Sequence, residues 1–266
     1  MENIRAKKSL GQNFLKSRKA LEAMVAAGGV SAGDTVLEIG PGQGALTEKL
    51  LETGADVIAI EKDDRLIAVL EEKFAEAMRD GALRLVHADV LEEDIAALGL
   101  KNHGYKLIAN IPYYITGQIF RKFLSGNIQP TKLVMMVQKE IADRIVARDG
   151  KESLLSLSVK AYGTPKKIMK VEKENFSPQP KVDSAILLVD DISKDFFDDL
   201  DEKRFFGILK AGFAHKRKIL AANLKEMAEK RGGKNLSVIF SALPLAAKAR
   251  AEELSLDDWK KLAVVL

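Results

Sequence analysis

V-L-E-I-G-P-G-Q-G-A-L-T, residues 36 to 47, reads as a strand that runs into a glycine turn and then opens a helix. Gly40, Gly42 and Gly44 permit the tight turn and the close ligand approach that any side chain would obstruct. The same alternation continues on both sides. Upstream, Ser17 caps a helix to Ala27 with Ala20, Leu21, Met24 and Val25 inward, and Gly28 and Gly29 end it. Downstream, Ala45 to Leu51 is helix, Ala55 to Ile60 strand, and Asp64 to Met78 one long amphipathic helix with Leu66, Ile67, Leu70 and Phe74 on a face. Leu83 to His87, Tyr105 to Ala109 and Lys132 to Val137 are further strands, with a helix over Thr116 to Leu124. Continuous apolar strands alternating with helices predict an α/β fold with a doubly wound, mostly parallel sheet, Rossmann-like, buried on both faces.

Two helices fill Lys139 to Tyr162, after which the pattern changes. Lys167 to Val171 and Ser184 to Val189 are strands flanking F-S-P-Q-P-K-V-D with no long helix between them, which predicts an antiparallel pair closing the sheet. Asp190 to Glu202 is acidic and reads as the linker and first turn of a second domain, and Lys203 to Leu266 has a helical pattern, so a small C-terminal helical domain follows. Trp259 falls on an apolar helical face and belongs to a core.

The 266 residues, 47% apolar and 30% charged, suit one large and one small domain of an ordinary globular protein. Net charge is +4 and the pI about 9.0, compatible with an anionic partner. With no cysteines, disulfides and thiolate metal sites are excluded, and His87, His103 and His215 are too scattered for a metal site, so no metal is expected. The N-terminus lacks an apolar signal core and no apolar run approaches the roughly 20 residues of a membrane span, so a cytoplasmic protein without membrane contact is expected.

Acidic residues close the next two strands. Glu61 follows the glycines by about 20 residues, where a carboxylate accepts hydrogen bonds from ribose hydroxyls. Asp89, after the third strand, could accept from an adenine amine. The ligand therefore carries an adenosine half. Gly40, Gly42 and Ala45 also satisfy the dinucleotide fingerprint, so a nicotinamide-dependent oxidoreductase is a rival. The rival lacks a hydride-handling acid or base at a strand end. N-I-P-Y-Y, Asn110 to Tyr114, ends another strand. Pro112 biases Ile111 away from the helical region, leaving its carbonyl free beside the Asn110 amide oxygen. Two such acceptors suit one amino group, and an aromatic ring three residues on can cover a nucleobase.

Glu38, Gly40, Gly42 and Gly44 give E-x-G-x-G-x-G, which resembles the first motif of S-adenosylmethionine-dependent methyltransferases. Together with K-S-L-G-Q-N-F-L (residues 8–15), N-I-P-Y, F-S-P-Q-P-K-V-D-S-A (residues 176–185) and F-A-H-K-R-K (residues 213–218), the chain resembles the ribosomal RNA adenine dimethyltransferases over nearly its whole length. The resemblance implies S-adenosyl-L-methionine as cofactor, bound by Gln12, Asn13, Leu15, Glu38, Gly40, Gly42, Gly44, Glu61, Asp89 and Asn110. It implies a target amine held by Asn110 and Ile111 in the N-I-P-Y turn with Pro112, and a base clamped between Tyr113 and Phe176, with Tyr114 left to the fold. Lys216, Arg217 and Lys218 would bind RNA. There the family often has two arginines before the lysine, and Lys216 cannot make arginine's planar fork. The expected layout is a catalytic domain over 1–190 and a helical rRNA-binding domain over 191–266. The chain would act as a monomer on two adjacent adenosines near the 3′ end of small-subunit rRNA. A large-subunit rRNA target, or a ribosome-assembly or transcription factor on the same fold, are the alternatives.

Overall fold

The computed structural model describes residues 6–7, 10–230 and 235–266. Lys8 and Ser9 of the K-S-L-G-Q-N-F-L motif lie outside the described residues. The chain divides into two compact units, one of Met1–Ala142 with Thr164–Ile192 and one of Asp143–Gly163 with Ser193–Leu266.

The first unit holds a seven-stranded sheet. In chain order its strands are β2 (Thr35–Ile39), β3 (Asp56–Glu61), β4 (Leu83–His87), β5 (Lys106–Ala109), β6 (Lys132–Gln138), β7 (Thr164–Val171) and β9 (Ser184–Asp190). Their spatial order is β4-β3-β2-β5-β6-β9-β7. The first five run parallel, and β9 is antiparallel to both β6 and β7, which is the closing antiparallel pair. A separate two-stranded pairing joins β1 (Phe14–Leu15) to β8 (Phe176–Ser177), with Leu15 opposite Phe176. The central strands are apolar because helices cover both faces. Leu37, Leu107, Ile108 and Val134 are wholly buried, each contributing about 1.5–3 kcal/mol.

Helix α1 (Arg18–Gly28) begins where the Ser17 side chain accepts from Ala20 N and ends at Gly29 in the left-handed region, as its sequence dictates. It is followed by α2 (Ala45–Leu51) and α3 (Asp64–Lys73). The single helix expected over residues 64–78 is broken. Phe74 leaves helical geometry at φ −113°, and a separate turn, α4 (Ala75–Arg79), follows. The Phe74 ring lies against the glycine turn, so closely that a Cβ on Gly44 would collide with it. Helix α5 (Thr116–Leu124) lies between β5 and β6 in the chain and buries Ile119, Phe120 and Phe123. Helix α6 (Lys139–Ile145) follows β6 directly.

The second unit includes α7 (Leu154–Lys160), α8 (Glu202–Gly212), α9 (Leu220–Lys230), α10 (Leu236–Ala242) and α11 (Leu256–Val265). Tyr162, Phe197, Phe205 and Phe206 form one aromatic cluster, and Trp259, fully buried, stacks at 5.6 Å on Phe213. Within the acidic stretch between β9 and α8, Phe196 and Phe197 join this packing by ring contacts to Phe205.

Candidate active site

Chain order reverses between β2 and β5, whose carboxyl ends lie side by side with Ile39 opposite Ala109. Loops leaving adjacent strands there diverge to opposite faces of the sheet and leave a crevice. A cavity of about 530 Å³ opens at this place, a usual size for a small-molecule site.

One wall is the glycine turn. Gly40, Gly42 and Gly44 have φ of 68°, 60° and 77°, values that favour glycine. The turn is closed by Gly44 N donating to Pro41 O at 2.9 Å and tied to β3 by Gly40 N donating to Ile60 O at 2.9 Å. Gly40 and Gly42 line the cavity, whereas Gly44 and Glu38 do not. Gly44 instead seats Phe74 at the start of α2. Glu38 is fully buried within β2, and burial pushes its carboxyl up to about 8, opposed by neighbouring Thr47. Neither Glu38 oxygen, nor Thr47 Oγ1, forms a hydrogen bond of ordinary geometry with another described residue.

Glu61 ends β3 and is 6% exposed. Its Oε1 accepts from Lys62 N and Asp63 N, both at 2.9 Å, and its Oε2 accepts from Gly42 N at 3.1 Å. Burial raises its pKa while these donors pull the other way. A carboxylate offers about four lone-pair sites, so roughly one is left for a ligand hydroxyl. Asp89 lies two residues beyond β4. Its Oδ1 accepts from Leu91 N at 2.9 Å and its Oδ2 from Lys62 Nζ at 2.5 Å. Burial works against ionisation there, but Lys62 and Leu91 N–H leave the carboxyl below its usual range.

The N-terminal segment closes over this wall. Gln12 Nε2 donates to Asp63 Oδ2 at 2.8 Å, and Asn13 Nδ2 donates to Gly11 O at 3.1 Å. Asp63 is almost wholly buried, and the Arg65 guanidinium, with help from Gln12, holds its carboxyl far below the usual range. Leu15, 5% exposed, lies opposite Phe176, and Lys16 N donates to Asn175 O at 2.8 Å. This short pairing is what carries Phe176 to the cavity from a distant part of the chain.

The other wall is N-I-P-Y-Y. Asn110 and Ile111 line the cavity, and neither the Asn110 amide nor the Ile111 carbonyl is hydrogen-bonded to another described residue. Pro112, with φ −57° and ψ 137°, turns the chain into a one-turn 3-10 helix over Tyr113–Ile115. Tyr113 is half-buried, and its hydroxyl is 2.5 Å from Ser184 Oγ, on a residue with no exposed surface at the start of β9. Burial raises the Tyr113 pKa, so the ring stays a neutral phenol. Tyr113 and Phe176 line one cavity. Tyr114 departs from the expectation that it serves the fold, being 67% exposed at the cavity mouth. Ser184 is the site residue that spacing could not single out, because its partner is 71 positions away.

In the second unit, Lys216, Arg217 and Lys218 are exposed on the loop between α8 and α9 and form no ion pair with any described residue. His87 and His103 are exposed and away from the cavity lining. No helix among the described residues is long and apolar enough to cross a membrane.

The family model "Ribosomal RNA adenine dimethylase" matches residues 3–265. A curated relative from Dehalococcoides mccartyi, named ribosomal RNA small subunit methyltransferase A, is 41% identical over 98% of this chain and 88% of its own length. Among solved structures, a dimethyladenosine transferase from Plasmodium falciparum superposes with a TM-score of 0.79 at 27% identity, covering 94% of this chain and 95% of that one. The 23S rRNA methyltransferase ErmE shares the fold, with a TM-score of 0.75 at 24% identity, over 95% of this chain and 98% of its own.

Proposed function

The chain belongs to the ribosomal RNA adenine dimethylase family, and on that premise we propose that it dimethylates the exocyclic amines of two adjacent adenosines near the 3′ end of small-subunit rRNA. One observation carries the reading: Asn110 and Ile111, whose amide and carbonyl have no partner among the described residues, line one cavity with Tyr113, Gly40 and Gly42. The small-subunit target is supported by the name of the relatives at 35–42% identity.

The donor set suits S-adenosylmethionine: a backbone turn without side chains at Gly40 and Gly42, Glu61 with spare acceptor capacity for ribose hydroxyls, and Asp89 for an adenine amine. When bound, that cofactor supplies an electrophilic methyl group. Gln12 and Asn13 hold the segment over this wall, and Leu15 holds Phe176. Glu38 and Gly44 shape the turn from behind.

An adenine amine is a poor nucleophile because its lone pair is delocalised into the ring. Accepting both N–H bonds at Asn110 and Ile111 favours a pyramidal nitrogen and aims its lone pair out of the ring plane. Tyr113 and Phe176 clamp a base taken out of its stack. No group need remove a proton before transfer; positioning supplies about 7–11 kcal/mol in well-oriented cases. In the second methylation only one N–H remains, and one acceptor gives up its partner.

We take the protein to act as a monomer. The helical region after residue 190 is assigned to RNA, with Lys216, Arg217 and Lys218 as phosphate contacts and the protein at work in the cytoplasm. The test incubates the protein with unmethylated small ribosomal subunits and labelled cofactor, then maps the label by mass spectrometry of rRNA fragments. Two adjacent dimethyladenosines near the 3′ end are expected; no label on the small subunits, while large-subunit rRNA offered in a parallel incubation is labelled, or no label on either, overturns the reading. In the same assay at rising salt, the apparent KM should climb steeply and do so less when the three cations are neutralised. An unchanged slope removes them from the interface.

A further inference from the structure

Tyr113 and Tyr114 are adjacent but occupy different environments. On a 3-10 helix consecutive side chains project about 120° apart, so two neighbours cannot share one wall. Tyr113 turns in to Ser184, and Tyr114 is left 67% exposed at the mouth of the same cavity. Its hydroxyl has no hydrogen-bond partner among the described residues. The ring is nevertheless not loose on all sides. A Cβ on Gly11 would come 3.3 Å from Tyr114 Cε1 and 3.4 Å from Cδ1, so the ring rests on the Gly11 backbone. Gly11 has φ 62°, and a side chain there would both strain the backbone and push the ring away.

An exposed aromatic ring propped from behind at the rim of a base-binding cavity is a stacking platform of the kind that binds single-stranded nucleic acid. We infer that Tyr114 stacks a nucleobase flanking the target adenosine, so that one 3-10 turn holds two bases of a single strand, one inside the cavity and one at its mouth. The inference rests on the rRNA methylation reading for its partner. The cavity rim fixes what that partner is: a strand whose target base enters the cavity must pass its neighbouring nucleotide across Tyr114. A base presents a flat face whatever its identity, so the platform adds affinity without sequence preference. Such a contact is the same before and during methyl transfer, and uniform binding changes KM rather than kcat.

The test compares Tyr114→Ala, Tyr114→Leu and Tyr114→Trp in the full chain. With small ribosomal subunits as substrate, Tyr114→Ala should raise KM about 5- to 150-fold, the range for one base–aromatic stack, and leave kcat within a fewfold. Tyr114→Trp should keep KM near wild type and Tyr114→Leu should resemble the alanine variant, since leucine is apolar but has no π face. Binding of S-adenosylmethionine alone, measured by calorimetry, should stay within about twofold. An unchanged KM in Tyr114→Ala, a leucine variant as good as tyrosine, or a loss of cofactor affinity matching the rise in KM each overturns the assignment. The last would make Tyr114 part of the N-terminal cover. A second measurement keeps this separate from the reaction: quenching of a short oligoadenylate carrying one 2-aminopurine. Quenching lost in Tyr114→Ala and kept in Asn110→Ala supports the platform even if no ribosomal methylation is found; quenching equal in all variants sinks it.

Discussion

The two walls of the cavity differ in how far their polar groups are already satisfied. On the glycine side, Glu61 holds three backbone N–H groups, Asp89 holds Lys62 and Leu91, and Asp63 holds Gln12 and Arg65. On the N-I-P-Y side, the Asn110 amide and the Ile111 carbonyl have no partner among the described residues. A prebonded wall fixes the shape a ligand must have. An open wall gains its hydrogen bonds only when a ligand with matching donors arrives, so it is where chemical selection takes place. Removing a group from the open wall should therefore harm turnover with little effect on the fold, and removing one from the bonded wall should harm cofactor binding and the turn together.

The sharpest break of that contrast is Asn110→Ala. It should lower kcat/KM for methyl transfer about 10²- to 10³-fold, comparable to losing one preorganised polar group from an active site. Cofactor affinity by calorimetry should fall far less than kcat/KM, and the melting temperature should barely move. A large loss of cofactor affinity would place Asn110 on the wrong wall. Next comes Glu61→Gln. An amide offers one oxygen where the carboxylate offers two, and its NH₂ faces a backbone donor. Hydrogen bonds to a charged group are worth about 1.5–3 kcal/mol, so the cofactor Kd should rise about 10- to 100-fold, with kcat at saturating cofactor much less affected. Equal losses in kcat and cofactor Kd would erase the distinction between the walls.

Ser184→Ala tests the one strong tie on the open side. With Ser184 gone, the half-buried Tyr113 hydroxyl loses its partner, and the ring is free to tilt. A loss of about 5- to 20-fold in kcat/KM is expected, from a hydrogen bond worth about 1–2 kcal/mol. Tyr113→Phe removes the same bond from the other end, so the double variant should be no worse than the poorer single. Additive losses would mean that Ser184 acts through the β9 packing rather than through Tyr113.

These contrasts also separate what the residues announced from what they did not. The glycine turn, the Ser17 cap and the parallel strands depend on local φ requirements and on apolar runs, which single segments carry. The placement of Glu61 and Asp89 follows from the strands that end just before or at them. The break at Phe74 depends on a ring meeting Gly44, 30 positions away, and nothing in the 64–78 pattern registers that contact. The pairing of β1 with β8 involves two residues each, too short for any periodicity, yet it places Phe176. Likewise the spacing of N-I-P-Y-Y says that two tyrosines are present. Only Ser184, buried in a distant strand, decides which one turns inward. Glu38 is a related case: its motif suggests a ligand contact, whereas the fold encloses it behind the turn.

Glu38 also provides the smallest expected effect on turnover at neutral pH and a distinct signature away from it. Its folded pKa is raised to about 8 by burial, against 4.5 for an exposed glutamate. Between those values the folded chain retains a proton that the unfolded chain has released. Stability from this group is therefore complete below about pH 4.5, declines by up to about 1.4 kcal/mol per pH unit, and is lost once pH passes 8. Glu38→Gln removes the titration while keeping nearly the shape of the protonated acid. Below about pH 4.5 its stability should match wild type; at pH 7 its activity should be close to wild type and its stability about 3 kcal/mol higher. Between pH 5 and 9, urea unfolding should show a shallower decline for the variant, the difference reaching at most about 5 kcal/mol. Parallel stability profiles would mean that Glu38 ionises normally in the folded chain and that water reaches it behind the glycine turn. That would make the bonded wall less closed than its hydrogen bonds imply.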